Sequence, residues 1–307
     1  MKRFWGLVTS LIIGLALLGC SEGNEANTDG QIHVVTTIAQ IGDAVINVGG
    51  EHVDVISLMG PGTDPHMYNA VQSDIEKMAN ADIIFYNGLE LEGQMDDVFA
   101  QMGKQKPAVP VGEKIDQTKL LIDPDNPSVY DPHIWFNIDL FSQVVEVIRD
   151  QLIEIDPDHA ADYQENAAAY LTELDELSEY VFEQIEQIPE ESRVLVTAHD
   201  AFHYFGEAYG FEVVGLQGLS TESDYSVHDI QSIVDLVTER KIKAIFIESS
   251  VSDRSINAVI EGAKATGHEV TIGGELYSDA MGEAGTEDGT YIGMFKSNIN
   301  TIVDALK

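Results

Sequence analysis

The chain has 307 residues, with 16 Lys and Arg against 53 Asp and Glu, a formal net charge of −37 and a single cysteine. At 44% hydrophobic and 8% aromatic it carries enough apolar side chain to bury a core, which excludes wholesale disorder. The acid excess excludes nucleic acid and polybasic membrane binding, which need clustered Lys and Arg. The lone cysteine excludes disulfide frameworks and cysteine-ligated zinc, haem-thiolate or iron–sulfur sites, so any metal must be held through nitrogen and oxygen.

Met1-Lys2-Arg3 is a short positive segment, and 4–18 is an apolar run too short to span about 30 Å of hydrocarbon comfortably. Together they read as a signal peptide over 1–19. The run ends in Leu17-Leu18-Gly19-Cys20, which resembles a bacterial lipobox, where the cysteine is acylated and begins the mature chain. Leu18 stands where a smaller residue is usual. Diacylation of Cys20 would supply enough hydrocarbon for stable anchoring. The following stretch, 20–31, is small and polar with no apolar period, and reads as a tether. The expectation is a body held outside the cytoplasm, lipid-anchored to the outer face of the cell membrane.

Beyond the tether, short β-branched runs alternate with helical patterns, which indicates an α/β protein with mostly parallel sheets. Strands are predicted over 32–38, 53–59 and 82–86, then over 193–197, 211–216, 242–248 and 269–272. Helices such as 73–79, 227–240 and 254–266 lie between them. Two similar lobes result, 32–155 and 189–307, joined by one long rigid helix over 156–188. Asp156-Pro157 supplies an N-cap and a first-turn proline, and Asp158 and Asp162 place negative charge at the positive end of the dipole. Tyr163, Ala167, Tyr170, Leu171, Leu174, Leu177, Val181, Ile185 and Ile188 then recur at helical spacing until Pro189 stops the pattern. At 1.5 Å per residue this helix is roughly 48 Å long, enough to cross both lobes and to limit hinge bending between them.

Of the nine histidines, His33, His52, His159, His228 and His268 fall at strand starts, helix starts or strand edges, where exposed or capping roles suit them. Three others lie where a loop or turn presents them: His66 after Gly60-Pro61-Gly62-Thr63, His133 before Ile134-Trp135-Phe136, and His199 beyond the 193–197 strand with Phe202, Tyr204 and Phe205 nearby. Asp279 follows the last strand in the same manner. Ligands in open α/β sheets gather outside the carboxyl ends of strands, and each lobe supplies two of these groups. Three imidazoles and a carboxylate make a closed ligand set, with the metal site in the inter-lobe cleft. Asp64, Asp131 and Asp200 are candidates to orient an imidazole, and Glu248 is a candidate partner at the lobe interface or a solvated strand end. The repeated Asp-Pro-His, at 64–66 and 131–133, is also explained by simple turn formation.

Asp64-Pro65-His66, Asp131-Pro132-His133-Ile134-Trp135, 197–205 and Leu276-Tyr277-Ser278-Asp279 resemble the motifs of the metal-binding lipoproteins that serve ABC transporters for manganese and zinc. The similarity covers nearly all of the chain after the tether. It implies that His66, His133, His199 and Asp279 are the metal ligands, in the branch with three histidines, and that the chain is a monomeric binding protein delivering Mn²⁺ or Zn²⁺ to a membrane permease. After Ser220-Thr221-Glu222-Ser223 this chain has Asp224-Tyr225 where many relatives have Glu-Pro, a local departure away from the ligands.

Two other readings stay open on the residues alone. His199 and His203, four apart around Asp200, would face one zinc if helical, making a hydrolase. An envelope adhesin with a structural metal site is the second. Affinity rises from Mn²⁺ towards Cu²⁺, with Zn²⁺ well above Mn²⁺, so the ligand set alone does not choose the metal. Relatives dedicated to zinc often carry a His-rich acidic insertion before the second ligand; 110–131 here contains no histidine, which favours manganese.

Overall fold

The computed structural model describes residues 30–123, 126–223 and 225–307. The signal segment 1–19, Cys20, positions 21–29 of the tether and Asp224 lie outside the described residues. In the N-terminal half, β1 (Ile32–Thr36), α1 (Ala39–Gly49), β2 (Val53–Ser57), α2 (Gln72–Asn80), β3 (Ile83–Tyr86), α3 (Asp96–Met102) and β4 (Ala108–Pro110) build a parallel sheet of order β2-β1-β3-β4. Val34 sits opposite Val55 on one side and Ile83 on the other. Helices cover both faces of such a sheet, which is why Val34, Val35, Ile83, Ile84 and Phe85 are all buried rather than alternating.

Two helices follow, α4 (Ile138–Ile155) and α5 (Ala160–Ile185). The C-terminal half contains β5 (Val194–His199), α6 (His203–Tyr209), β6 (Glu212–Gln217), α7 (Val227–Glu239), β7 (Ala244–Glu248), α8 (Arg254–Ala265), β8 (Thr271–Leu276) and α9 (Tyr291–Leu306). β5 pairs with β6 and β7 with β8, all parallel, and β5 lies beside β7.

The long connector departs from its predicted bounds at both ends. Pro157 opens a short 3-10 turn, Pro157–His159, before the α-helix begins. Asp156 does not cap the backbone; its carboxylate accepts the His159 ring at 2.6 Å and the Tyr163 hydroxyl at 2.7 Å. At the far end the Arg193 guanidinium donates to the carbonyls of Ile185 and Ile188, satisfying the acceptors that a helix terminus leaves open. The 26 residues of α5 still reach both halves. Asn166 donates to the Val48 carbonyl and Tyr170 to Asp43 in α1, whereas Tyr180 donates to Asn300 in α9.

β5 runs on to His199 because that residue keeps register with Gln217. β8 starts later than expected and continues through Gly273-Gly274, where the strand passes so close to α9 that a Cβ on Gly274 would lie 2.3 Å from the Thr301 side chain. The halves are not separately packed. One large core runs from Val34 through α4 and α5 to Phe295 and Ile302, and a smaller one sits under β5, β7, α7 and α8. Gln31–Lys307 therefore forms a single unit.

Asp43 is a node of that shared core, accepting the Tyr170 hydroxyl at 2.9 Å and the Tyr291 N–H at 3.2 Å. Burial pushes its carboxyl up, and these two bonds pull it back. Asp43→Ala is expected to lower stability by about 2 kcal/mol in urea unfolding, the scale of lost bonds to a buried carboxylate. An unchanged midpoint would show that the node carries no weight.

Candidate metal centre

The two Asp-Pro-His turns are built on the same local bond. In each, the aspartate carboxylate accepts the N–H of the histidine two residues on, at 2.9 Å, for Asp64 with His66 and for Asp131 with His133. Proline fixes the backbone between them. His66 is carried by the loop after β2, and His133 stands just before the 3-10 turn Ile134–Phe136. His199 is the last residue of β5, and Asp279 lies three residues beyond β8. His66, His199 and Asp279 lie at or beyond the carboxyl ends of their strands.

All four side chains are buried, and they present donor atoms that lie within 4.8 Å of one another. His66 Nε2 is 3.4 Å from His133 Nε2, His133 Nε2 is 3.4 Å from Asp279 Oδ1, and His199 Nε2 is 3.4 Å from Asp279 Oδ2. A tetrahedron with metal–ligand arms of about 2.1 Å has edges of roughly 3.4 Å, the spacing of these three contacts, while the set as a whole lies within 4.8 Å. Asp279 offers one oxygen to His133 and the other to His199, and the second also accepts the Ser250 hydroxyl at 3.3 Å.

Each carboxylate near the cage has a distinct task. Asp131 Oδ1 lies 2.8 Å from His133 Nδ1, and Glu248 Oε2 lies 2.5 Å from His199 Nδ1 while its Oε1 accepts the His199 N–H at 2.8 Å. These contacts fix which ring nitrogen faces the cage. Asp64 and Asp200 do not do so. Asp64 holds the His66 backbone and spends its second oxygen on the Thr221 hydroxyl. Asp200 accepts the Gly215 N–H and lies 3.5 Å from the His203 ring, because the chain turns between β5 and α6 and carries Asp200 away from the imidazole of its neighbour. The same turn removes the helical pair expected of a hydrolase: His199 ends a strand, His203 opens a helix, and His203 is outside the four-residue cluster. His33, His52 and His159 sit instead against surface aspartates, and His268 bonds the Ile242 carbonyl.

Several residues support the cage in ways that the sequence alone does not assign. Trp135 Nε1 donates to the Ser278 carbonyl at 3.0 Å and packs its ring against His133, and Gln40 Nε2 donates to the Asp279 carbonyl at 3.1 Å. Glu92 is buried and accepts the Thr37 hydroxyl and the N–H groups of Asn87 and Gly88, holding a loop in which Gly88, Leu89 and Glu90 all have positive φ. Asn87 in turn donates to the Pro132 carbonyl, next to His133. Glu92 lies among apolar neighbours, Leu89 and Leu91, and an acid in such a run was the available signal.

Burial alone would raise the Asp279 carboxyl, but the His199 charge and the bonds from His133 and His199 hold it well below the usual carboxylate range. Burial likewise works against charge on His133, yet Asp131 and Asp279 push that imidazole up to about 9. Glu248 and Asp279 overcome burial at His199 in the same way and raise it well above its ordinary value. His66 is pushed down by burial to about 3, with Asp279 offsetting only part of the effect. The metal-free cage thus holds protons on His133 and His199 at neutral pH, and a dication that displaces both leaves the buried charge unchanged.

The sign follows: a raised imidazole binds its proton below about 9, so affinity for a divalent ion falls as pH drops from 9 towards 5. Calorimetry at pH 7.5 in buffers of differing ionisation enthalpy is expected to find about two protons released per ion. Equal affinity at pH 7.5 and 5 would contradict it. Removing His203 by His203→Ala is expected to leave affinity within about twofold, whereas Glu248→Ala lowers it about 10–100-fold. The reverse order in a competition titration would overturn the assignment.

The family described as the periplasmic zinc-uptake complex component A matches residues 34–305. The manganese-binding lipoprotein MntA of Bacillus subtilis (strain 168) is 53% identical over 304 residues, covering 98% of this chain and 99% of its own. The zinc-binding protein TroA of Treponema pallidum (strain Nichols) is 46% identical over 282 residues, covering 92% of this chain and 91% of its own. The solved structure of periplasmic TroA superposes with a TM-score of 0.88 over 90% of this chain and 99% of its own, at 46% identity. A Mn-bound mutant of the periplasmic metal binding protein from candidatus liberibacter asiaticus gives a TM-score of 0.80 at 28% identity, over 90% of this chain and all of that one.

Proposed function

The chain belongs to the family of periplasmic zinc-uptake component A proteins, and from that premise we propose that it captures a divalent transition metal outside the cytoplasm and hands it to an ABC transporter permease. The observation that carries this reading is the buried set of His66, His133, His199 and Asp279, whose 3.4 Å edges suit one ion. The ion is cargo, bound and released without covalent chemistry. The parts of the chain on either side of the 156–188 connector that holds α5 serve as its two lobes, and the protein works as a monomer.

Manganese is the favoured cargo, with zinc next. The relative at 53% identity is named for manganese and the one at 46% for zinc. Asp279 has one oxygen 3.4 Å from His133 and the other 3.4 Å from His199, so a carboxylate binding through both would suit an ion that accepts more than four donors. The absence of histidine from 110–131 points the same way. Tight zinc binding in vitro is expected whatever the cargo, because a nitrogen-rich site holds zinc more strongly than manganese. Acylated Cys20 anchors the body to the outer face of the membrane, and no helix among the described residues is long and apolar enough to cross one.

Metal uptake in a deletion strain tests this reading. Manganese-limited growth and ⁵⁴Mn uptake are expected to fail and to return with the wild-type chain but not with His66→Ala. A Cys20→Ser chain is expected to leave the membrane fraction. A defect for zinc alone would overturn the manganese assignment, and normal uptake of both metals would overturn the transport role.

A further inference from the structure

Because all four donors are buried, an ion reaches them only when a covering segment moves. The bonds between the halves beneath the cage are enclosed. Trp135 donates to Ser278, Tyr204 to the Asp131 carbonyl at 2.9 Å, Tyr291 to the Trp135 carbonyl at 2.7 Å, and Gln40 to Asp279. They tie the loops that bear the ligands, and parting them would expose buried polar groups.

A second set crosses between the halves nearer to solvent. Thr221 Oγ1 donates to Asp64 Oδ2 at 2.6 Å in a half-buried position, and Gln94 donates to Glu222 at the exposed rim. Gly62 lies on the same seam, where a Cβ would stand 3.4 Å from the Ser249 carbonyl oxygen. Asp64 divides its carboxylate between the two sides: one oxygen holds the His66 N–H and the other holds Thr221. Gln217, at the end of β6, donates to the carbonyls of Thr221 at 3.4 Å and Ser223 at 3.0 Å, so Thr221 is braced to the C-terminal half. His133 and His199 each have a carboxylate on the ring; His66 is held by Asp64 through its main chain.

We infer that Thr221 is a positioning residue for cargo retention: its hydroxyl, acting through Asp64, latches the His66 loop to the C-terminal half, and breaking that bond uncovers the ion. The inference rests on the capture role proposed above. A bond made only with the halves closed slows departure and leaves arrival nearly untouched, because arrival begins from the unlatched form. One carboxylate also links the two events, since the side chain that lets go of Thr221 is the one that orients the His66 backbone.

The test is stopped-flow transfer of Zn²⁺ from the loaded full chain to an excess of chromophoric chelator. Thr221→Val, isosteric but without the hydroxyl, is expected to release zinc roughly tenfold faster with association changed less than about twofold, the effect of one lost bond to a charged group. Thr221→Ser, which restores the donor, is expected to return to the wild-type rate. Thr221→Ala provides a second hydroxyl-free chain, and the melting temperature of each metal-free variant is expected to match the parent. Equal release from wild type and both hydroxyl-free variants would overturn the latch and leave the capture role intact. A wild-type chain that binds no Zn²⁺ would overturn both.

Discussion

A carboxylate removed from water needs matching positive charge, and the cleft buries three of them, Asp131, Glu248 and Asp279, against the imidazoles of His133 and His199, with His203 3.5 Å from the outer oxygen of Asp131. Neutralising that charge is the constraint that the rest of the fold serves. With the cage empty of cargo, protons on His133 and His199 meet the demand; with an ion bound, the ion does. The site therefore exchanges one form of positive charge for another instead of creating a buried charge anew. That arrangement explains why two of the three histidines carry their own carboxylate while His66, with none on its ring, is the imidazole that burial keeps neutral.

Such a cage needs its donors delivered from four separate places in the chain, and the α/β architecture does so cheaply. Strand ends supply fixed positions, and the Asp-Pro-His turns add a locally determined bond that aims each loop. The shared core beneath, with α5 bonded to α1 on one side and α9 on the other, resists wide separation of the halves. Small displacements at the seam are the natural mode of access, in contrast with binders whose halves meet only through flexible strands. The hydrogen bonds follow the same division, enclosed beneath the cage and half-exposed at Thr221 and Asp64.

The parts of this design that depend on local pattern were legible in the sequence. Strand runs, the stepwise apolar face of α5, the placement of His66, His199 and Asp279 at or beyond strand ends and that of His133 in a turn follow from periodicity and turn chemistry, and the family resemblance joins the four as one ligand set. Roles set by distant partners were not. Asp64 and Asp131 stand in the same motif, yet one bonds Thr221 and the other a ring, because only the tertiary fold brings residue 221 to residue 64. Asp200 misled for a related reason, since nothing local announces that the chain turns between His199 and His203. α5 is legible through the length of its repeat and the Asp-Pro that opens it, since the amphipathic contrast of α1, α4 and α9 is no weaker than its own.

Trp135 gives the fold one more property. The chain has two tryptophans, and Trp135 is the one among the described residues. That ring is buried, with its centroid 5.3 Å from that of His133, and its N–H is fixed on the carbonyl beside Asp279. Protonated imidazole quenches a neighbouring indole, so a closed-shell ion such as Zn²⁺ that displaces the proton brightens it, whereas paramagnetic Mn²⁺ quenches it in its own right. The cleft thus contains its own optical gauge of occupancy, readable by ultraviolet emission without any attached dye.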